Sequence, residues 1–140
     1  MKPRMLRAIL LAGLFATLSS PAFAQSLTGT NWAFTQIGGE LLDAQDRQRT
    51  QLQFDEKNGR MSATAGCNRM SGPYTQSGPA IAFGQIAMTR MACPPPLAKR
   101  ESNLVDALGG VRSWRIVEGN LILADANGAA LLRLFAAGRK

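Results

Sequence analysis

Short stretches in which apolar and polar residues alternate fill most of the chain from Leu27 onward, and Gly, Asn and Asp separate them. Alternation with a period of two is typical of half-buried strands, and the separating residues are those that form tight turns. The pattern predicts a mainly β, antiparallel domain of about seven or eight strands, with candidate segments at 30–37, 51–55, 60–67, 74–77, 80–88, 111–117, 120–124 and 129–135.

The clearest hairpin surrounds Asn58 and Gly59, because Asn-Gly is the strongest short-range hairpin signal. The segment that follows, 60–67, alternates regularly between two faces. One of these faces carries Met61, Ala63, Ala65 and Cys67. We therefore expect Cys67 to point toward the core.

One segment departs from this alternation. Between three prolines and a glycine pair, apolar residues recur at helical spacing, at Leu97, Leu104, Val105 and Leu108. Pro96 suits the first helical position, and Gly109 suits the left-handed position after the last turn. The spacing predicts one long helix, about 97–108, with an apolar stripe packed on the sheet. The expected fold is a β-rich α+β domain, a small coiled sheet or partly open barrel that the helix plugs or flanks.

The first 24 residues have the three zones of a secretory signal peptide: cations, an apolar run from Ala8 to Leu18, and the small-residue end Ala22-Phe23-Ala24. As a helix the apolar run reaches about 16 Å, roughly half the hydrocarbon core of a bilayer. We expect cleavage after Ala24 and a single mature domain over 25–140 without a transmembrane segment. The expected location is the periplasm or the cell exterior, with outer-membrane association left open.

The net charge is +7 for the whole chain and +4 without the three signal-peptide cations, with 13 basic and 9 acidic residues. The remaining cations are scattered, so we expect no nucleic-acid partner. The chain has no histidine, which removes the commonest general base and metal ligand. Motifs for a serine nucleophile or a phosphate loop are also missing. A polar loop explains the acidic cluster Asp43, Asp46, Asp55 and Glu56, and we expect no enzyme, cofactor or metal site.

Cys67 and Cys93 are the two cysteines of the chain. Cysteines of an exported protein usually pair, and closing this segment would contribute about 3.5 kcal/mol on the loop-entropy model. The alternatives are two buried thiols, a redox-active pair, and a copper(I) site that also uses methionine sulfur. Methionine more often fills gaps in a core, and no Cys-x-x-Cys motif is present, so the disulfide is preferred. The methionines concerned are Met70, Met88 and Met91.

Three segments carry a family resemblance: 27–32 (LTGTNW), 66–74 (GCNRMSGPY) and 89–94 (TRMACP). Together with the later helix, the VRSWRI strand and the DANG hairpin, they resemble the META domain, the HslJ-like heat-shock envelope family, from Leu27 to Phe135. The resemblance implies a small β-rich fold with one helix and export to the bacterial envelope. It also implies links to heat shock, to novobiocin resistance and, in parasite relatives, to virulence. It implies no settled biochemical activity.

The residues around the cysteines have two interpretations. Local turn structure explains Asn68 and Gly72, which tolerate left-handed or turn conformations. The functional alternative gathers several side chains in one polar patch, whose arginines would bind a carboxylate or phosphate group. The members of this patch are Asn68, Arg69, Tyr74, Thr89 and Arg90.

The expected function is that of a non-enzymatic envelope protein. It would be a monomer and would act as a stress-linked binding or interaction module for an unidentified envelope protein. The alternative is a carrier of a lipid or other small apolar ligand in a barrel cavity. Aromatic residues that would form the cavity walls, and that ordinary core packing also explains, are Trp32, Phe34, Phe54, Phe83 and Trp114.

Overall fold

A computed structural model describes residues 26–139, so the expected signal peptide, 1–24, lies outside the described residues. Neither helix of the described part combines the length and apolar character needed to cross a membrane. The secondary structure, in chain order, is β1 (Thr30–Ile37), β2 (Glu40–Leu41), α1 (Ala44–Gln48), β3 (Gln51–Asp55), β4 (Arg60–Thr64), β5 (Arg69–Ser77), β6 (Ala80–Phe83), β7 (Ala87–Met88), α2 (Pro95–Gly110), β8 (Ser113–Val117), β9 (Asn120–Ala124) and β10 (Ala130–Arg139).

Eight of these strands close into a ring in the order β1, β3, β4, β5, β6, β8, β9, β10, and β10 pairs again with β1. Two of the strand pairings in the ring are short. β1 pairs with β3 only at Trp32 and Leu52, and β6 pairs with β8 only at Ala80 and Ser113. The mainly β, antiparallel class is confirmed, and the sheet forms a ring without being a regular barrel. The expected seven or eight strands become ten because β2 and β7, two residues each, pair with β1 and β5 beside the ring.

The hairpin predicted at Asn58 and Gly59 is present. β3 and β4 pair in register from Gln51 with Thr64 to Asp55 with Arg60. Gly59 adopts a φ of +61°, a conformation that side chains rarely take. Asp55 also accepts a hydrogen bond from the Asn58 side chain, which lowers the pKa of this carboxyl group.

Several predicted strand boundaries were wrong, and the error at β4 changes the position of a cysteine. The strand ends at Thr64, and the chain bends through residues 65–68 before β5 begins at Arg69. Alternation stops at this bend, so Cys67 is only half-buried, and Asn68 is buried in its place. The predicted strand 80–88 is likewise broken into β6 and β7, and those predicted at 74–77 and 111–117 begin at Arg69 and Ser113.

The long helix α2 starts two residues before the predicted 97–108 and ends two residues after it. Gly109 does not take the expected left-handed position, because the chain leaves the helix at Val111 in an extended conformation. Leu104 and Leu108 are fully buried. The helix contacts β1, β10 and β6, and β6 lies across the ring from β1. α2 therefore lies across the ring, so that of the two predicted arrangements, plugging and flanking, the structure has the first.

The core inside the ring is continuous from the sheet to α2. It contains Trp32, Phe34 and Phe54, and both Phe83 and Trp114 pack against it from partly buried positions. These are the five aromatic residues that the carrier hypothesis assigned to cavity walls. Their side chains contribute to the packing of the core, which is the simpler of the two interpretations drawn from the sequence.

Candidate functional site

The bend after β4 and the loop before α2 are joined by a disulfide. The sulfurs of Cys67 and Cys93 lie 2.02 Å apart, as the sequence predicted. Cys67 belongs to the bend between β4 and β5, whereas Cys93 lies just ahead of the first turn of α2. The bridge thus ties the sheet to the start of the helix. Disulfides of this kind persist in oxidising compartments, which is consistent with export.

Beneath the disulfide, Asn68 binds the carboxylate of Glu101. The Asn68 backbone N–H donates to Oε1 of Glu101, and the side-chain amide donates to Oε2 at 2.8 Å. The same amide nitrogen lies 3.1 Å from Sγ of Cys93. Glu101 is 2% exposed and Asn68 5% exposed. A buried carboxylate is costly unless donors satisfy it, and here Asn68 supplies two donors.

The other side of the Asn68 amide organises the chain around β7. Its Oδ1 accepts hydrogen bonds from the Thr89 hydroxyl at 3.0 Å and from the Met91 N–H at 2.7 Å. Thr89 in turn accepts the Arg69 N–H at 3.0 Å and donates its own N–H to the Arg69 carbonyl at 3.0 Å. One buried side chain therefore connects the bend, the helix and the segment that carries β7.

Sequence reasoning missed Glu101, although a signal was present. Glu101 lies four residues after Leu97 and three before Leu104, so it occupies the apolar stripe of the helix. A carboxylate at such a position requires a buried partner. The identity of that partner, Asn68, depends on the fold, because the two residues lie on elements that only the closed sheet brings together.

The two sulfurs and Glu101 also form a group with the atom types of a metal site. Their ligand atoms lie within 4.8 Å of one another. Both sulfurs, however, are used by the disulfide, and both oxygens of Glu101 accept hydrogen bonds from Asn68. Of the methionines considered for copper, Met70 is buried in the core while Met88 and Met91 are exposed. The arrangement therefore serves as a structural joint.

The predicted polar patch divides into two groups of residues. Arg69, Thr89 and Arg90 are exposed and lie close to β7. The Thr89 hydroxyl binds both the Arg69 N–H and Oδ1 of the buried Asn68. Tyr74 does not join them, because it points into the core, where its ring meets Phe54 edge-on at a centroid distance of 5.0 Å. Burial raises the pKa of the Tyr74 hydroxyl, and nearby negative charges add to this effect.

An exposed surface surrounds the short strand β7. We call it the β7 surface and define it by Arg69, Ala87, Met88, Thr89, Arg90 and Met91, all of which are exposed. The side chains of Met88 and Met91 are 40% and 57% exposed. A shallow groove of about 410 Å³ runs along it, lined in part by Ser62, Ser71 and Met88. Within residues 26–139, neither Arg69 nor Arg90 forms an ion pair.

A close backbone contact shapes the approach to this surface. The segment Gly84–Ile86 passes over Gly72 so tightly that a Cβ there would lie 2.8 Å from the Gln85 carbonyl oxygen. Only glycine fits such a contact without displacing backbone. The irregular segment separates β6 from β7, and it explains why the predicted strand 80–88 is interrupted.

The acidic cluster expected to be a polar loop has specific structural partners. Asp43 caps α1 by accepting the N–H of Asp46 at 2.8 Å. Asp46 and Glu40 both bind the guanidinium of Arg100 on α2, at 2.7 and 2.8 Å. The hydrogen bond with Glu40 is the largest cause that raises the pKa of Arg100. These contacts tie α2 to the β2–α1 region.

Comparisons with known proteins agree with this architecture. The META domain family model matches residues 25–138. A protein from Burkholderia xenovorans, solved by NMR, is 23% identical with a TM-score of 0.64, and the match covers 81% of this chain and 85% of that one. Another NMR structure is 24% identical with a TM-score of 0.61, covering 79% and 92% of the two chains.

A crystal structure of a DUF4847 family protein from Bacteroides vulgatus is 10% identical, with a TM-score of 0.57 over 81% of this chain and 96% of that one. At these identities the three likenesses concern the fold alone. No curated protein matches the chain.

Proposed function

The chain belongs to the META domain family, and from this premise we propose that it is a non-enzymatic protein of the bacterial envelope that binds a partner protein through the β7 surface. The observation that carries this proposal is the exposure of two methionines of this surface, Met88 and Met91. The same surface carries Arg69 and Arg90, neither of which forms an ion pair in the described chain. Exposed apolar side chains with flanking arginines are typical of protein interaction sites.

The rigid support beneath this surface also favours binding. Asn68 fixes Thr89 and Met91 through its side-chain oxygen, and the disulfide fixes the chain two residues further on, at Cys93. A surface held in one conformation loses little entropy when a partner binds. The buried network is therefore most simply understood as the support of a binding surface.

Two further observations support a role without catalysis. The chain lacks histidine, and the acidic residues with the best-defined surroundings serve as caps or ion-pair partners, as Asp43 and Asp46 do. Glu101, the buried carboxylate, is occupied by Asn68. The expected envelope location rests on the disulfide and on the signal peptide predicted at 1–24, and the stress link rests on the family resemblance.

Photo-crosslinking in cells tests the proposal. A photoreactive amino acid replaces Met88 in one variant and Met91 in a second. In the control variant it replaces Val117, an exposed apolar residue of β8 outside the β7 surface. We expect the same partner protein to be attached at positions 88 and 91, to be competed away by excess wild-type chain, and to be absent at 117. Equal crosslinking at all three positions, or none at 88 and 91, contradicts the proposal.

A further inference from the structure

The free edge of β7 suggests the form of the partner. We propose that the partner segment is an extended, acidic peptide that adds a strand to β7, an inference that rests on the binding function proposed above. Addition of a strand to an exposed sheet edge is a recurring mode of peptide recognition, in which backbone hydrogen bonds supply affinity. The backbone, the charges and the shape of this edge each support it.

The backbone groups of β7 alternate between two edges. Ala87 is in register with Ser71 of β5, and Thr89 donates its N–H to Arg69 at 3.0 Å, so these two residues direct their backbone groups at β5. By the alternation of an antiparallel ladder, Met88 and Arg90 direct theirs to the opposite edge. Among residues 26–139, no backbone hydrogen bond meets Met88 or Arg90 on that edge.

The charges near β7 favour an acidic segment. Arg90 follows β7 in the chain, and Arg69 lies on β5 opposite Thr89; neither forms an ion pair in the described chain. Arginine binds carboxylates through paired hydrogen bonds, so glutamate or aspartate on an incoming strand finds partners here. The exposed Met88 offers a contact for an apolar residue of the incoming strand.

The length of the free edge limits what can bind. β7 has only two residues, and the irregular segment Gly84–Ile86 interrupts the edge on one side. Short and interrupted edges protect a sheet from pairing with further copies of itself. A partner can therefore form only a few backbone hydrogen bonds, and the charges must add to the affinity. This predicts a short recognition segment.

The test uses a short peptide in which glutamate and valine alternate, titrated against the disulfide-bonded chain by calorimetry. Amide hydrogen exchange is measured in parallel. We expect saturable binding and slower exchange at Met88 and Arg90. A lysine–valine peptide of the same length should bind at least tenfold more weakly. A glutamate–valine peptide that is N-methylated at alternate positions keeps its charge but cannot pair, and it should also bind at least tenfold more weakly.

A matched pair of variants localises the binding. Arg69→Ser with Arg90→Ser should weaken binding at least tenfold, whereas Lys57→Ser with Lys99→Ser removes the same charge elsewhere and should change it less than twofold. Equal binding of the N-methylated peptide, unchanged exchange at Met88 and Arg90, or no binding of the glutamate–valine peptide at millimolar concentration overturns strand addition. If crosslinks at Met88 persist in that case, the binding function stands and only the acidic strand is excluded.

Discussion

The backbone N–H and the side-chain amide of Asn68 each donate to a different oxygen of the Glu101 carboxylate, beneath the Cys67–Cys93 disulfide. This contact joins the bend after β4 to the helix that fills the ring. The opposite side of the same amide holds Thr89 and Met91. Structural support and the exposed β7 surface therefore meet at one residue.

Replacing Asn68 tests this support. Asn68→Ala leaves one oxygen of the buried Glu101 carboxylate without its donor, and an unsatisfied buried group costs about 1–3 kcal/mol, more when it is charged. Thr89 and Met91 also lose their acceptor, but both are exposed and water can replace it. We expect the free energy of unfolding in urea to fall by at least about 2 kcal/mol. Asn120→Ala, at an exposed position, is the control and should change it by less than about 0.5 kcal/mol. Equal effects of the two substitutions would show that the network contributes little.

Removing the disulfide tests the joint between sheet and helix. Cys67→Ala with Cys93→Ala opens a loop whose ends are 26 residues apart, and loop entropy predicts a loss of about 3.5 kcal/mol. Urea unfolding of the oxidised, reduced and substituted chains measures it. The intact mass of the exported chain should be lower by two hydrogens than that of its reduced form. Two titratable thiols in the unreduced, denatured chain contradict the pairing.

The ion-pair cluster on α2 gives a prediction for Arg100. Arg100 is 7% exposed and donates to both Glu40 and Asp46. Arg100→Met therefore removes the guanidinium group that both carboxylates bind. We expect a loss of about 1–3 kcal/mol of unfolding free energy, because Glu40 and Asp46 are partly exposed and water can replace the cation. Lys99→Met, next in the chain but exposed, is the control. A loss no greater than that of the control contradicts a stabilising role.

The only tyrosine of the chain gives a direct pH measurement. Burial raises the pKa of Tyr74 in the folded state, so its hydroxyl stays protonated to higher pH than in the unfolded chain. The associated stability is fully present below the unfolded pKa of about 10 and is lost as the pH rises through the folded pKa. Ultraviolet titration of tyrosinate should give a midpoint above 10 in buffer and near 10 in denaturant. A folded midpoint at or below 10 contradicts burial.

Local features of the fold could be predicted from the sequence. The turn at Asn58 and Gly59 follows from backbone preferences, and the helix follows from spacing between prolines and glycines. Pairing of the cysteines followed from their number and from expected export. The closure of β1 on β10 and the position of α2 across the ring depend on contacts between distant residues, which periodicity does not report.

Only part of the candidate site could be predicted, because the sequence does not show where each strand begins. The neighbourhood of Asn68, Arg69, Thr89 and Arg90 follows from their positions beside two paired cysteines. Tyr74 was wrongly grouped with them, because the extent of β5 decides which of its residues face the core. Continuous alternation from Arg69 to Tyr74 puts these two side chains on opposite faces.

Charge reversal at the β7 surface tests the central claim most directly, that this surface binds a partner and that Asn68 only supports it. The variant Arg69→Glu with Arg90→Glu carries the photoreactive amino acid at position 88, and a second variant reverses Lys57 and Lys99 instead. We predict that both keep the unfolding free energy within about 0.5 kcal/mol and that only the first loses at least nine-tenths of the crosslink. Retention of the crosslink in the first variant, or equal loss in both, contradicts the claim.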